Sequence, residues 1–422
     1  MEKTRFKSIK TKLLLAFLSL SLIPLIALGL SGIIEVTTMG GGVSNQVSTE
    51  LTEKAKVELD NVAANTSDKV GLHTRQYEND ISAMAKFPEI ESAFKARTQG
   101  GNWVDSPARG AVIDYTLSVL SSRPDMTLVR LSYQDGTTIA KVFEGKSHLI
   151  DKKTGKIEYR GDKYWFTNAM DPNKVKSGSN FVSSINMGRT TNKPEIHYAS
   201  PVFVDNQRVG LVVIAFAGEA ITKAVADTKF GKSGFAFMVD KSYETMEGKP
   251  VKEGVYVYHP KYKACDEENP GTIVDVDKLK GDSGFVSFND EGKEWTAAYH
   301  RVPVDGRDWY VFAALPKAEI VESVNTIENG IQASVADLNR NFLLLLLFSA
   351  IIVFAAALII SSQITKPIAH LTEVAEKVSM GNTNVEVDVD SNDEIGGLAD
   401  SFRRMVVSIK ILMGADDVDK SA

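Results

Sequence analysis

Residues 341–365 read NFLLLLLFSAIIVFAAALIISSQIT, between Arg340 and Lys366. The stretch carries no charge. At ~1.5 Å rise per residue it can cross a ~30 Å hydrocarbon core with some tilt. It leaves a helical pattern of Val321, Val324, Ile327, Ile331, Val335, Leu338 and Phe342 at three- and four-residue steps, with no breaker between. On its other side it runs into two short helical patterns. In the first, Pro367 stands at the head, Ile368, Leu371, Ala375 and Val378 share a face, and Gly381-Asn382 marks the stop. A connector then alternates Val385, Val387 and Val389 with acids. The second pattern opens at Asp393-Glu394 and places Ile395, Leu398, Phe402, Met405, Ile409 and Leu412 on a coiled-coil seam. An apolar crossing joined to such a seam is a mechanical link, so the rest of the chain is read for what it connects.

A second crossing lies at residues 13–34, LLLAFLSLSLIPLIALGLSGII. Before it stand Lys3, Arg5, Lys7, Lys10 and Lys12 against Glu2, a flank that predicts a cytoplasmic N-terminus over residues 1–12. The run exceeds the 7–15-residue core of a cleaved signal, so an uncleaved anchor is expected. Residues 35–340 then lie on the far side, and residues after 365 return to the cytoplasm. Glycines 40–42 are expected to break the helix just outside the membrane, leaving the second crossing as the main route for a signal. From Val43 to Lys86 the pattern is a long amphipathic helix carrying Leu51, Val62, Val70, Tyr77, Ile81 and Met84, interrupted by Pro88. A lone helix of this kind predicts packing on a twin, hence a homodimer.

After Pro124 the composition turns to strands and tight turns, in two sets separated by a short helix. Tyr198 and Pro201-Val202 before one turn are echoed by Tyr299 and Pro303-Val304 before another. The fold class expected is α+β: two tandem antiparallel-sheet modules on a long helix, distal at about 90–217 and proximal at about 230–315, two transmembrane helices, and a cytoplasmic coiled coil.

The net charge of −6 gives no sign of nucleic-acid binding, and a single cysteine, Cys265, excludes an intrachain disulfide. Among polar neighbours, Cys265 reads as a loop residue. No triad, metal-ligand cluster or phosphate loop is present in the sequence, so no catalysis, cofactor or metal is expected. His259, without a partner at ligand spacing, reads as structural.

Several stretches resemble the double Cache sensor domain of bacterial chemoreceptors and sensor kinases: KYWFTNAM from Lys163, GLVV from Gly210, GKSGFAFMVD from Gly231 and VYVYHP from Val255. Residues 362–412 resemble a HAMP domain, a parallel four-helix bundle made by two chains. The resemblance implies a multi-pass receptor of the bacterial inner membrane, with a small-molecule ligand in the distal module. Its relay would use Pro367, Glu394, Leu398, Phe402 and Met405. Amino-acid-binding members carry Tyr-x4-Arg-x-Trp-Tyr-x2-Ala followed by two acids. Here Trp165 and Ala169 fit, Lys163 stands for the arginine, Phe166 for the second tyrosine and Glu158 for the first. The acidic places fall near Ser183 and Ala215. That departure argues for a small organic anion held by Lys163 and Ser183 between Trp165, Phe166 and Tyr198. The polar tail, residues 413–422, suggests output through a separate cytoplasmic signalling protein. A membrane-tethered binding or scaffolding protein and a truncated chemoreceptor stand as alternatives.

Overall fold

The computed structural model describes residues 9–416, apart from 152, 189–192 and 246. Most of the basic N-terminal flank and the end of the tail lie outside the described residues. The chain divides into two compact units, residues 48–325 and residues 1–47 with 326–422.

The first unit is α+β. Helix α1 (Ile9–Met84) enters it and ends before Pro88. Phe87 is extended, as a residue before proline prefers, and Pro88 opens α2 (Pro88–Thr98). Two glycines of positive φ, Gly100 and Gly101, separate α2 from α3 (Pro107–Ser122). Strands β1 (Met126–Tyr133), β2 (Thr138–Phe143) and β3 (Lys146–Ser147) follow. After α4 (Tyr164–Met170) come β4 (Phe181–Val182), β5 (Asn186–Met187), β6 (Pro194–Val204) and β7 (Gln207–Ala217). The antiparallel order is β3-β2-β1-β7-β6-β4, with β5 beside β6. Asp205 and Asn206 both take positive φ at the β6–β7 turn, as a two-residue hairpin requires.

Helix α5 (Glu219–Ala226) leads to β8 (Lys229–Phe230), β9 (Gly234–Asp240), β10 (Val255–Tyr258), β11 (Ser283–Asp290), β12 (Lys293–Arg301) and β13 (Trp309–Pro316). Their order, β10-β9-β13-β12-β11, reproduces β2-β1-β7-β6-β4 strand for strand. The echo between Tyr198 and Tyr299 is thus one hairpin used twice.

Helix α1 buries a heptad-like stripe, including Leu59, Ala63, Val70, Tyr77, Ile81 and Met84, against these sheets. Tyr77 stacks on Phe216 at 3.9 Å between ring centroids and meets Tyr198 edge-on at 6.0 Å. Cys265 sits in a turn, as expected of a loop residue, at φ +53, but its side chain is buried in this core, and burial pushes its thiol up to about 12. Its polar sequence neighbours point outward while the small, weakly polar thiol fills the interior.

One side chain stitches the two sheets together. Arg307, 3% exposed, donates from Nε to Val182 O (2.9 Å) and from Nη1 to Ser184 Oγ (3.1 Å) on the distal side. On the proximal side it donates to Ser242 O (3.0 Å) and Glu244 Oε2 (3.1 Å). Burial pushes the Asp240 carboxyl upward, and the Arg307 charge opposes that rise.

Helix α6 (Lys317–Ser379) starts directly after β13. Glu319 in its first turn accepts from Lys232 N (2.6 Å), Ser233 N (3.2 Å) and Ser233 Oγ (2.7 Å). Gly231 there has φ +57, and a Cβ at that position would lie 2.7 Å from Glu319 Oε1. Glu319→Ala leaves those donors to water and is expected to cost about 1 kcal/mol. Hydrogen exchange of the Lys232 and Ser233 amides should rise in the variant, with β11 and β12 unchanged.

In the second unit, α1 and α6 each contain a stretch long and apolar enough to cross a membrane, hardly buried within the chain. The expected break at residues 40–42 does not occur: α1 is helical from Ile9 to Met84. Gly29, Gly32 and Gly40 serve close packing instead, while Gly41 and Gly42 face open space. A Cβ on Gly29 would lie 2.2 Å from Leu346 Cδ1, and one on Gly40 2.3 Å from Val335 Cγ2. Small residues let helices approach closely where lipid offers no hydrophobic drive. Ser44 Oγ to Glu328 Oε1 (2.9 Å) and Asn339 Nδ2 to Thr37 Oγ1 (3.0 Å) add polar ties.

Pro367 does not begin a new helix. It sits inside α6, which continues to Ser379. Gly381, at φ +87, closes α6 with its N–H on Val378 O (3.0 Å), and Asn382 N reaches Lys377 O (3.0 Å). Helix α7 (Glu394–Asp416) is capped by Asp393, whose Oδ1 accepts from Ile395 N (2.9 Å) and Gly396 N (3.2 Å). Leu371, Val374, Val387, Ala399 and Val406 form a small core joined by Phe402, Val385 and Val389.

Candidate functional site

Alternation along the distal strands decides which side chains share a face. Arg130 on β1 pairs in register with Lys141 on β2 and Val213 on β7, and His197 on β6 pairs with Ala215 on β7. Leu128, Arg130, Lys141, Phe143, Glu195, His197 and Val213 therefore look away from α1. Val129, Leu131, Ile196, Tyr198 and Ile214 look toward it, into the core.

The face away from α1 lines a cavity of about 420 Å³ together with Asp151, Lys153, Arg160, Lys163 and Trp165. The segment after β3 folds over it as an irregular hairpin, bridged at Ile150 to Ile157 and at Thr137 to Tyr159. The closure needs glycine: a Cβ on Gly136 (φ +85) would lie 2.4 Å from Gly161 Cα.

Beneath the cavity lies Glu158, 5% exposed and ringed by cations. Its Oε1 accepts from Lys141 Nζ (3.2 Å) and closely from Arg160 Nη2, and its Oε2 lies 3.2 Å from Arg130 Nη2. Arg130 is buried too, with its Cζ 6.0 Å from the Trp165 ring and its Nε without a hydrogen-bond partner among the described residues. Burial pulls Arg130 down to about 10 against the Glu158 charge. Burial and the Arg130 charge hold Lys141 below its usual value. Burial, then Arg130, push His197 down to about 4.

Of the side chains expected to bind a ligand, Lys163 and Trp165 line this cavity. Phe166 packs with Ala169, Ala199, Leu211 and Val213 in the core under α4. Tyr198 is on the opposite face of β6 against Tyr77 and Phe216, because a strand turns alternate residues to opposite sides. Ser183 is buried, donating to Ser184 O (2.7 Å) and accepting from His197 N (2.9 Å). The cations missed in the sequence, Arg130 and Lys141, carried a signal: each is a charge inside an otherwise apolar strand.

Of the expected relay residues, Phe402 joins the α7 core, while Leu398 and Met405 are 49% and 42% exposed and Glu394 is exposed at the start of α7. Within one chain the covered positions of α7 are Ala399, Phe402 and Val406.

His259 in the proximal sheet is buried among Phe235, Phe237, Tyr256 and Tyr262. Its Nδ1 accepts from Lys261 N (3.1 Å), and burial pushes it down to about 4. An unfolded histidine titrates near 6.5. As pH falls, the unfolded chain takes up these protons first. Stability from keeping His197 and His259 neutral is therefore full above about 6.5 and lost progressively toward about 4. The urea midpoint of the full chain is expected to drop between pH 7 and 5. The double variant His197→Gln/His259→Asn should show a shallower drop.

The Cache domain profile matches residues 43–324, and the HAMP domain profile matches residues 359–410. The methyl-accepting chemotaxis protein TlpA of Bacillus subtilis (strain 168) is 22% identical over 425 residues, covering 96% of this chain and 52% of its own length. The methyl-accepting chemotaxis protein McpA of the same organism is 25% identical over 227 residues, covering 50% of this chain and 29% of its own. The chain spans about half the length, or less, of the curated relatives it matches. Among solved structures, the sensory domain of the Campylobacter jejuni chemoreceptor Tlp3 aligns with a TM-score of 0.44 and 16% identity, over 65% of this chain and 99% of that one. With its two antiparallel sheets, its two candidate membrane spans and the helix pair that follows, the chain belongs to the Cache domain family and carries a HAMP domain after it.

Proposed function

We propose that this chain is the sensing and relay portion of a transmembrane chemoreceptor that binds a small organic anion in its distal cavity. The observation that carries the reading is the cavity wall: Arg130, Lys141, Lys153, Arg160 and Lys163 face it, against Asp151 and Glu195. A partly enclosed, cation-rich pocket with an indole wall suits a carboxylate head on a small carbon skeleton. The basic flank before the first crossing supports a topology with the N-terminus in the bacterial cytoplasm and the Cache domain outside. Ligand binding biases the distal sheet, Arg307 couples it to the proximal sheet, and α6 passes the change to the HAMP helices. Two chains act together: the outward Leu398 and Met405 of α7 supply the seam for a second copy. Output goes to a cytoplasmic signalling module of the chemotaxis type.

The test is a thermal-shift series on the full chain in nanodiscs. Succinate and acetate should raise the melting temperature, and putrescine should not. Lys163→Met is expected to weaken succinate binding about tenfold while leaving the unliganded melting temperature within about 1 °C, since Lys163 is partly exposed and its pair with Asp162 at 3.1 Å lies at the surface. Stabilisation by putrescine alone would overturn the anion reading.

A further inference from the structure

We infer that Glu158 is a specificity-determining residue: a resident anion that sets how many negative charges the ligand must carry, and sets it at two. The inference rests on the anion reading of the distal cavity and adds the charge class to it.

Glu158 is 5% exposed and does not line the cavity itself. Its carboxylate is turned beneath the wall and engages Arg130, Lys141 and Arg160 at once. Counting wall and floor together among the described residues, Arg130, Lys141, Lys153, Arg160 and Lys163 exceed Asp151, Glu195 and Glu158 by two. His197 adds nothing, being neutral. Asp162 pairs with Lys163 from the solvent side, where it is 57% exposed and screened.

The geometry also divides the positive charge into two places. One is Arg130, pinned from below by Glu158 and presenting a buried Nε with no partner among the described residues. The other is the rim, Lys153 and Lys163. A ligand with anionic groups at both ends meets both; a monoanion leaves one buried or rim charge unanswered, and a trianion exceeds the available charge. Dicarboxylates have this chemistry, whereas a phosphate carries the same charge at one end and tests whether charge alone is enough.

Calorimetric titration of the full chain in nanodiscs tests it, with acetate, succinate, citrate and inorganic phosphate as probes. In the wild type, succinate or phosphate should bind at least tenfold tighter than acetate and citrate, and whichever of the two wins shows whether charge alone is enough. Glu158→Gln keeps the shape and removes the resident anion. Its gain in affinity should multiply with ligand charge, about tenfold per unit, so that citrate overtakes succinate. Lys141→Met should act in the opposite sense, weakening succinate about tenfold and acetate less. This second variant removes a charge that is only partly buried, so it tests the same ladder if Glu158→Gln does not fold. Equal affinities for acetate and succinate, or a Glu158→Gln gain independent of ligand charge, would overturn the inference while the anion reading stands. Binding of putrescine with no binding of any anion would overturn both.

Discussion

Arg307→Ala is expected to lower the stability of the Cache region by about 3–5 kcal/mol. The guanidinium is buried and its four hydrogen bonds go to both sheets. Removing it strands the Val182 and Ser242 carbonyls and the Glu244 carboxylate, and it strips Asp240 of its nearest compensating charge. The loss should reach past stability to cooperativity. With Arg307 present, calorimetry of the full chain should give one transition for the two sheets. In the variant the transition should broaden or divide, because four bonds shared between the sheets are lost while Glu244 N to Ser184 Oγ (2.8 Å) remains. Arg307→Lys should recover little, since an ammonium cannot serve four acceptors in the planar fork that the guanidinium provides. A loss below about 1 kcal/mol with one sharp transition would contradict the clamp.

Tyr77→Ala is the second large effect, also about 3–5 kcal/mol. Tyr77 is 1% exposed and lies flat on Phe216 of the distal sheet at 3.9 Å. Its hydroxyl has no hydrogen-bond partner among the described residues, and burial pushes its pKa up to about 12. Tyr77→Phe removes that unsatisfied group while keeping the ring stack, so it should be neutral or slightly stabilising. The pair of variants separates ring packing from hydrogen bonding. Urea unfolding followed by tryptophan fluorescence measures both, and a Phe variant as weak as the Ala variant would show that the hydroxyl matters after all.

What could be read from the sequence was whatever repeats with a period. The three- and four-residue steps from Val321 onward gave the long exit helix, and Val70, Tyr77, Ile81 and Met84 gave the buried stripe of α1. The alternating strands gave two sheets. What could not be read depended on the phase of a period or on a distant partner. Tyr198 and His197 are one residue apart on β6, and only the register with β7 tells which faces the cavity. Leu398 and Ala399 are likewise neighbours on α7, and the connector valines decide which is covered within the chain. Residues 40–42 look like a breaker in isolation. Beside Val335, the absent side chain at Gly40 is a space filled by another helix, and packing outweighs a propensity cost of about 1 kcal/mol per glycine. For the cavity, Lys163 and Trp165 could be found because they belong to a contiguous motif. Arg130, Lys141 and His197 are scattered over three strands and meet only in the folded sheet.

The unbroken course of α6 through Pro367 carries a consequence for how such a chain can vary. Its 63 residues form one screw, and each residue advances the screw by about 100°. Deleting a single residue between Asn339 and Leu371 turns everything after it by more than a quarter revolution. Deleting seven restores the heading to within about 20°. Length changes in this helix are therefore felt as angles before they are felt as distances. A series of one- to seven-residue deletions should give outputs that rise and fall with the turn of the helix rather than decline steadily.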